Sequence, residues 1–223
     1  MSMVLQKEIH LLERRMLDLG GRVEAGVRRA IQALEKRDAA LARQVEDEDA
    51  EIDAEEVALE EACLKVLALH QPVAIDLRVI IAILKINNDL ERIGDFAVAI
   101  ARRVHPAEKP VLPWPAQLPM LTAFATRMVG EVLDAFVRLD GKAARAVCLG
   151  EETFKRAFNE LSGVLAQTLR ETREADVVDA ALEYLSVGRS LQRICGHAVN
   201  VAEDVLYMLD GVVVRHNYQA IHT

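Results

Sequence analysis

Aromatic residues make up only 4% of this chain, and strand-forming runs of Val, Ile, Thr and aromatics at alternating positions are missing. That argues against a sandwich or barrel and leaves helices, which the abundance of Ala, Leu, Val, Glu and Arg favours. Cysteine is nearly as scarce. The three, Cys63, Cys148 and Cys195, are an odd number with no CxxC spacing, each inside a helical pattern, so buried reduced thiols are expected. Excess positive charge is absent. The net charge of −8 disfavours sequence-independent nucleic-acid binding and suits a protein that meets cations or basic surfaces. No uncharged run reaches the roughly 18 residues of a membrane span, and the charged, amphipathic start MSMVLQKEIHLLERR has no signal-peptide core, which points to the cytoplasm. There is no Gly-rich phosphate loop, no Ser/His/Asp arrangement and no Cys/His zinc spacing.

What is present is helical periodicity. Leu5, Ile9, Leu12, Met16, Leu19, Val23, Val27, Ile31 and Leu34 recur at spacings of mostly three and four, one long amphipathic helix. Asp38 reads as the N-cap of a second, whose stripe runs Leu41, Val45, Ile52, Leu59, Ala62, Val66, Leu69. A third opens at Gln71-Pro72, with proline in its first turn, and continues to about Val104. Five of the six prolines then fall between 106 and 119, which divides the chain. Three more helices follow, at 119–139, 141–172 and 176–210, broken at Asp140-Gly141 and Glu174-Ala175-Asp176.

The two halves echo each other. LERIGDFAVAIA (90–101) aligns with LQRICGHAVNVA (191–202), and Asp38–Val45 shadows Asp140–Val147 at almost the same offset. The expected fold is all-α: two tandem three-helix bundles, left-handed and near-antiparallel, related by internal duplication. The boundaries are 1–105 for the first repeat, 106–119 for the Pro-rich connection, 120–212 for the second repeat and 213–223 for a tail.

The third helix carries the feature that needs explaining. Leu90, Ile93, Ala97, Ile100 and Val104 form its core stripe, while Glu91 and Asp95 project side by side, about 40° apart at 100° per residue. A solvated face is the plain reading. Ile80, Leu84 and Val98 share that face, however, and the second helix has an acid run, EDEDAEIDAEE, in which Asp49 and Asp53 repeat the spacing. If the two helices are neighbours, four carboxylates converge. Each pair of like charges at 4 Å costs on the order of 4 kcal/mol at an effective dielectric of 20, unless protons or a cation compensate. All-oxygen ligands suit hard cations such as magnesium, manganese or calcium, and carboxylates also bind iron.

LERIGD, its echo LQRICGHAVNVAEDVLYMLDG, EACLKVLALHQPVAIDLRVI before the first, and VRH at 214–216 together resemble the PhoU family, over nearly the whole chain. The resemblance implies a non-enzymatic, cytoplasmic regulator of phosphate uptake and starvation signalling. It would connect a phosphate ABC transporter, through its ATPase subunit, with a membrane sensor histidine kinase. It also implies E/D-x-x-x-D pairs that hold metal ions, iron or zinc clusters in some members. Asp49, Asp53, Glu91 and Asp95 match those pairs in the first repeat. The second repeat departs: Gln192 and Gly196 stand where Glu91 and Asp95 do, and Glu151 has Lys155 as its partner, so that site is expected to be degenerate. His197 could add a nitrogen ligand or serve as a surface or partner residue.

Other residues carry two readings each. Arg92 and Arg193, matched between repeats, either contact phosphate or an acidic partner or make inter-helix salt bridges. Gly94 implies close helix approach, with Cys195 in its place in the second repeat. Trp114 covers the junction or anchors a partner. A homodimer is expected from excess apolar surface. The alternatives to the adaptor are a paralogue serving another transporter, or a di-metal carboxylate enzyme, which lacks the expected Glu-x-x-His.

Overall fold

A computed structural model describes residues 3–104 and 113–214. Six helices make up its secondary structure: α1 (Met3–Lys36), α2 (Ala39–His70), α3 (Ala74–Ala101), α4 (Leu118–Arg138), α5 (Gly141–Glu171) and α6 (Ala175–Asp210). The all-α layout of two three-helix repeats is therefore what the chain adopts. The caps explain two of the boundaries. Asp38 Oδ1 accepts from the backbone N–H of Ala40 and Leu41, both at 3.0 Å, and Asp140 Oδ1 accepts from Lys142 at 2.9 Å and Ala143 at 3.0 Å. Each cap occupies two donors that the first helical turn leaves orphaned. Asp140→Ala is expected to lower stability by about 1 kcal/mol in urea unfolding; an unchanged midpoint would show that water replaces the cap.

Two boundaries differ from expectation. Gln71 adopts the left-handed conformation with φ 44° and ends α2, its N–H bonded to Leu67 O. Pro72 then lies outside any helix and Val73 is extended, so Pro72 precedes α3 rather than standing in its first turn. The last proline of the Pro-rich segment, Pro119, lies inside the first turn of α4, so that helix starts one residue before the expected end of the connection. Residue 105 at the end of the first repeat, residues 106–112 of the connection and 215–223 of the expected tail lie outside the described residues.

The core is continuous across the two halves. α1 packs on α2, α3 and α4, while α6 packs on α3, α4 and α5. α3 and α6 run antiparallel through the centre. Lys85 and Asp89 of α3, and Arg103 just beyond its end, meet Asp204, His197 and Glu183 on α6, at 2.8, 2.7 and 3.3 Å. This explains why α3 is apolar almost all round: Ile80, Ile83, Ile86, Leu90, Ile93, Ala97, Val98 and Ile100 are all buried, between three neighbours. The outer helices α2 and α5 are buried on narrower stripes. Leu69, expected in the α2 stripe, is 68% exposed, because α2 is ending there. Trp114 tilts against Tyr184 of α6, ring centroids 6.3 Å apart, and packs on the core as a cover for the junction.

All three cysteines are free. Cys63 and Cys195 are buried, whereas Cys148 is only half-buried, a correction to the expectation. Burial pushes the Cys63 thiol up to about 11 and Cys148 to about 12, so neither is a ready nucleophile at neutral pH.

Candidate metal-binding seam

The acid run on α2 divides between two neighbours. Three arginines of α1, spaced by seven, take one side: Arg15 Nε donates to Glu55 at 2.8 Å, Arg22 Nη1 to Glu51 at 2.9 Å, and Arg29 Nη1 to Glu48. This ladder holds α2 antiparallel to α1. It also leaves Asp49, Asp53 and Glu56 turned away, on the side of α3. There α2 side chains pack on α3: a Cβ on Gly94 would lie 3.5 Å from Asp49 Oδ1 and 3.6 Å from Ile52 Cγ2, ordinary van der Waals contact, so the site has room for a methyl group.

On α3, Glu91 and Asp95 face this side with side chains 21% and 42% exposed. Arg92 lies 3.4 Å from Glu91 Oε2 through Nε and donates to Asp95 Oδ2 at 3.1 Å through Nη1. The expected inter-helix salt bridge of Arg92 is therefore an ion pair within its own helix, since a residue three or four positions away is the nearer partner. Arg193 is exposed and makes no ion pair among the described residues. Arg102 closes one end of the seam through Glu46, at 3.1 Å.

The proximity of the acids bears on how they hold protons. Burial, then the charges of Asp53 and Asp95, raise the Asp49 carboxyl above its ordinary value, with Arg102 opposing. Burial also raises Glu91, reinforced by Asp95, opposed by Arg92 and raised further by Asp53 and Glu56. Glu56 is raised by burial and by Glu60 and Asp53. Folding thus makes Asp49, Glu56 and Glu91 bind protons more tightly than the unfolded chain does. Their contribution to stability is fully present below the unfolded values near 4 and is lost as pH climbs through the raised folded values. In chelator at pH 7, Glu91→Gln is accordingly expected to be more stable than wild type, by about 0.2–0.5 kcal/mol, the size of one like-charge pair on a helix. The gap should close as pH falls toward 4.5, and a gap independent of pH would show that Glu91 repels nothing.

Could these residues hold a metal? The donor chemistry fits, and Glu91 Oε2 is buried without a hydrogen bond. Asp49, Asp53, Glu91 and Asp95 share one seam. Yet among the described residues no three His, Cys, Asp or Glu side chains stand together as a ready cage, so loading requires the carboxylates to swing inward.

The second-half seam is different. Glu151 stands opposite Cys195 as Asp49 stands opposite Gly94, but Lys155 Nζ lies 2.9 Å from its Oε2. A Cβ on Gly196 would meet nothing within 4 Å, and Gln192 brings no charge. His197 faces the first half instead. Its Nδ1 is 2.7 Å from Asp89 Oδ1, which also accepts from Asn200 at 2.9 Å, and its ring stacks on Phe96 at 5.7 Å. It is a cross-half fastening that local spacing could not reveal. Glu56 belongs to the acid run EDEDAEIDAEE but to neither four-residue pair, and Asn87 stands at i−4 to Glu91, the one local signal that it shares that face.

Known proteins match along nearly this whole length. The PhoU domain family matches residues 16–104 and 120–205, one copy per half. The chain is 37% identical over 211 residues to the phosphate-specific transport system accessory protein PhoU homolog of Pseudomonas aeruginosa, covering 94% of this chain and 86% of that protein. It is 32% identical over 214 residues to the phosphate-specific transport system accessory protein PhoU of Escherichia coli, with the same coverage. The crystal structure of PhoU from Pseudomonas aeruginosa superposes with a TM-score of 0.85 at 35% identity, over 93% of this chain and 99% of that one. That of the phosphate transport system regulatory protein PhoU from Streptococcus pneumoniae gives 0.86 at 26% identity, over 94% and 99%.

Proposed function

The chain belongs to the PhoU family, and from that premise we propose that it is the accessory regulator of a phosphate transport system, working in the cytoplasm as an adaptor. The observation that carries this reading is likeness over both repeats at once, in sequence and in fold, to proteins named for that role. As an adaptor it docks on the transporter's ATPase subunit and on a sensor histidine kinase, and it keeps starvation genes off when phosphate is plentiful. It acts by binding rather than by catalysis, in keeping with relatives named accessory and regulatory proteins. No described helix is long and apolar enough to cross a membrane, so contact with the transporter would run through helix faces. The test is deletion of the gene with a phosphate-starvation reporter, together with pull-down of the two partners. Reporter activity in high phosphate and recovery of both partners are expected. Silence of the reporter with neither partner recovered would overturn the reading.

The α2–α3 seam is the metal site of this adaptor, with Asp49, Asp53, Glu91 and Asp95 as its carboxylates. A bound cation, iron, zinc, manganese or magnesium, would neutralise charge that folding otherwise concentrates there. Elemental analysis of protein purified without chelator, beside Glu91→Ala/Asp95→Ala, decides it. Metal in the first and none in the second is expected; equal metal in both would move the site elsewhere.

The ion pair of Lys155 with Glu151 favours a second reading, a paralogue tuned to another transporter with one working seam instead of two. It predicts a normal phosphate reporter in the deletion strain and altered uptake of a different ion.

A further inference from the structure

The seam between α5 and α6 repeats the layout of the first with its charges reversed. At matched positions the first repeat has Asp49, Asp53, Asn88, Glu91, Arg92 and Asp95, four acids against one arginine. The second has Glu151, Lys155, Arg189, Gln192, Arg193 and Gly196, one acid against a lysine and two arginines, so a formal charge of −3 becomes +2. The matched arginines differ accordingly. Arg92 lies 3.4 Å from Glu91 and 3.1 Å from Asp95. Arg193 has Gln192 and Gly196 in the places of those acids, and both it and Arg189 are exposed with no ion pair among the described residues. The one acid, Glu151, is met by Lys155 at 2.9 Å rather than by either arginine. A Cβ on Gly196 would meet nothing within 4 Å, so the surface beside them is open. Arg189, Gln192, Arg193 and Gly196 fall within an arc of about 100° on α6, which makes them one face.

We propose that this face of α5 and α6 docks an acidic segment of a partner protein, with Arg189 and Arg193 as the charges that recognise it. The inference rests on the adaptor reading and adds to it the surface and the chemistry of one contact. Charge complementarity selects the partner: in a chain of net charge −8, cations stand here at the positions of acids. Spacing selects a segment over a lone anion. Four residues of helix rise about 6 Å, which matches carboxylates one turn apart on a helix or two residues apart on an extended strand. Because both arginines are exposed, they meet a surface rather than enclose an ion. Guanidinium groups take carboxylates through two parallel hydrogen bonds, which gives the contact direction as well as attraction. Lys155 meanwhile keeps Glu151 from repelling the incoming acids.

The test measures binding of the purified ATPase subunit, and of the kinase's cytoplasmic part, to the immobilised full chain across a salt series. Arg189→Glu/Arg193→Glu should weaken at least one of the two by about tenfold or more, with slower association and a flatter salt dependence than wild type. Arg14→Glu/Arg43→Glu makes the same change in net charge at exposed positions of α1 and α2, and should stay within about twofold of wild type. Circular dichroism establishes that each variant is folded. If the reversal does not fold, Arg189→Ala/Arg193→Ala takes its place, with a smaller loss expected. Both partners bound by the reversal as tightly as by wild type would overturn the docking face and leave the adaptor reading standing. An equal loss in Arg14→Glu/Arg43→Glu would reduce the effect to net charge and overturn the face as well. Wild type that binds neither partner overturns both readings. Sedimentation in which wild type self-associates and the reversal does not would give the face to the acidic seam of a second copy instead.

Discussion

Phe154→Ala lowers the free energy of unfolding by about 3–5 kcal/mol, the largest effect expected from any single truncation here. Phe154 is 1% exposed on α5. It tilts against Phe124 of α4, centroids 6.0 Å apart, and stacks near Phe158 at 6.5 Å. Phe158 in turn rests on α6, where a Cβ at Gly188 would come within 2.6 Å of its Cε2. Three of the five phenylalanines in the chain thus form one column that spaces the helices of the second half. Truncation leaves a hole between Phe124 and Phe158, and the cavity cost adds to the lost transfer energy. Urea unfolding at constant slope measures it. A loss below about 1 kcal/mol would mean that the column collapses freely.

Metal loading is expected to act in the opposite direction and nearly as strongly. A cation that binds the folded seam and not the unfolded chain adds about 2.7 kcal/mol when its free concentration is a hundred times its dissociation constant. Unfolding curves with Mn2+ and with chelator should therefore separate for wild type and coincide for Glu91→Ala/Asp95→Ala. The separation should shrink in acid, since protons compete for carboxyls that folding has already made more basic. Coincident curves for wild type would sink the metal reading of the seam. That outcome would leave the family membership untouched, because it rests on the match of both repeats.

Much of this architecture was legible in the residues because it is local. The spacing of apolar groups in α1 gives its buried face residue by residue, and Asp38 announces the start of α2 through the two donors it caps. Glu91 and Asp95 could be placed on one face by counting, and Asp49 and Asp53 could be set against them by assuming neighbouring helices. What failed to show was set by distant partners. Arg92 turned to acids on its own helix, which spacing permits but does not choose. His197 pairs with a residue more than a hundred positions earlier. Asn87 looked like any polar residue until α2 closed over it. The direction in which Lys155 defuses Glu151, by contrast, was plain from their spacing of four.

The central crossing of α3 and α6 has a consequence for the order in which the protein is made. α3 is complete at Ala101, but the helix that covers its far side ends only at Asp210. At a synthesis rate of about 5–20 residues per second, that interval lasts roughly 5–20 s. Throughout it the first repeat leaves the ribosome with an apolar flank exposed. A chaperone that holds that flank, or a stray copy of the same repeat that swaps into it, would find its opportunity there.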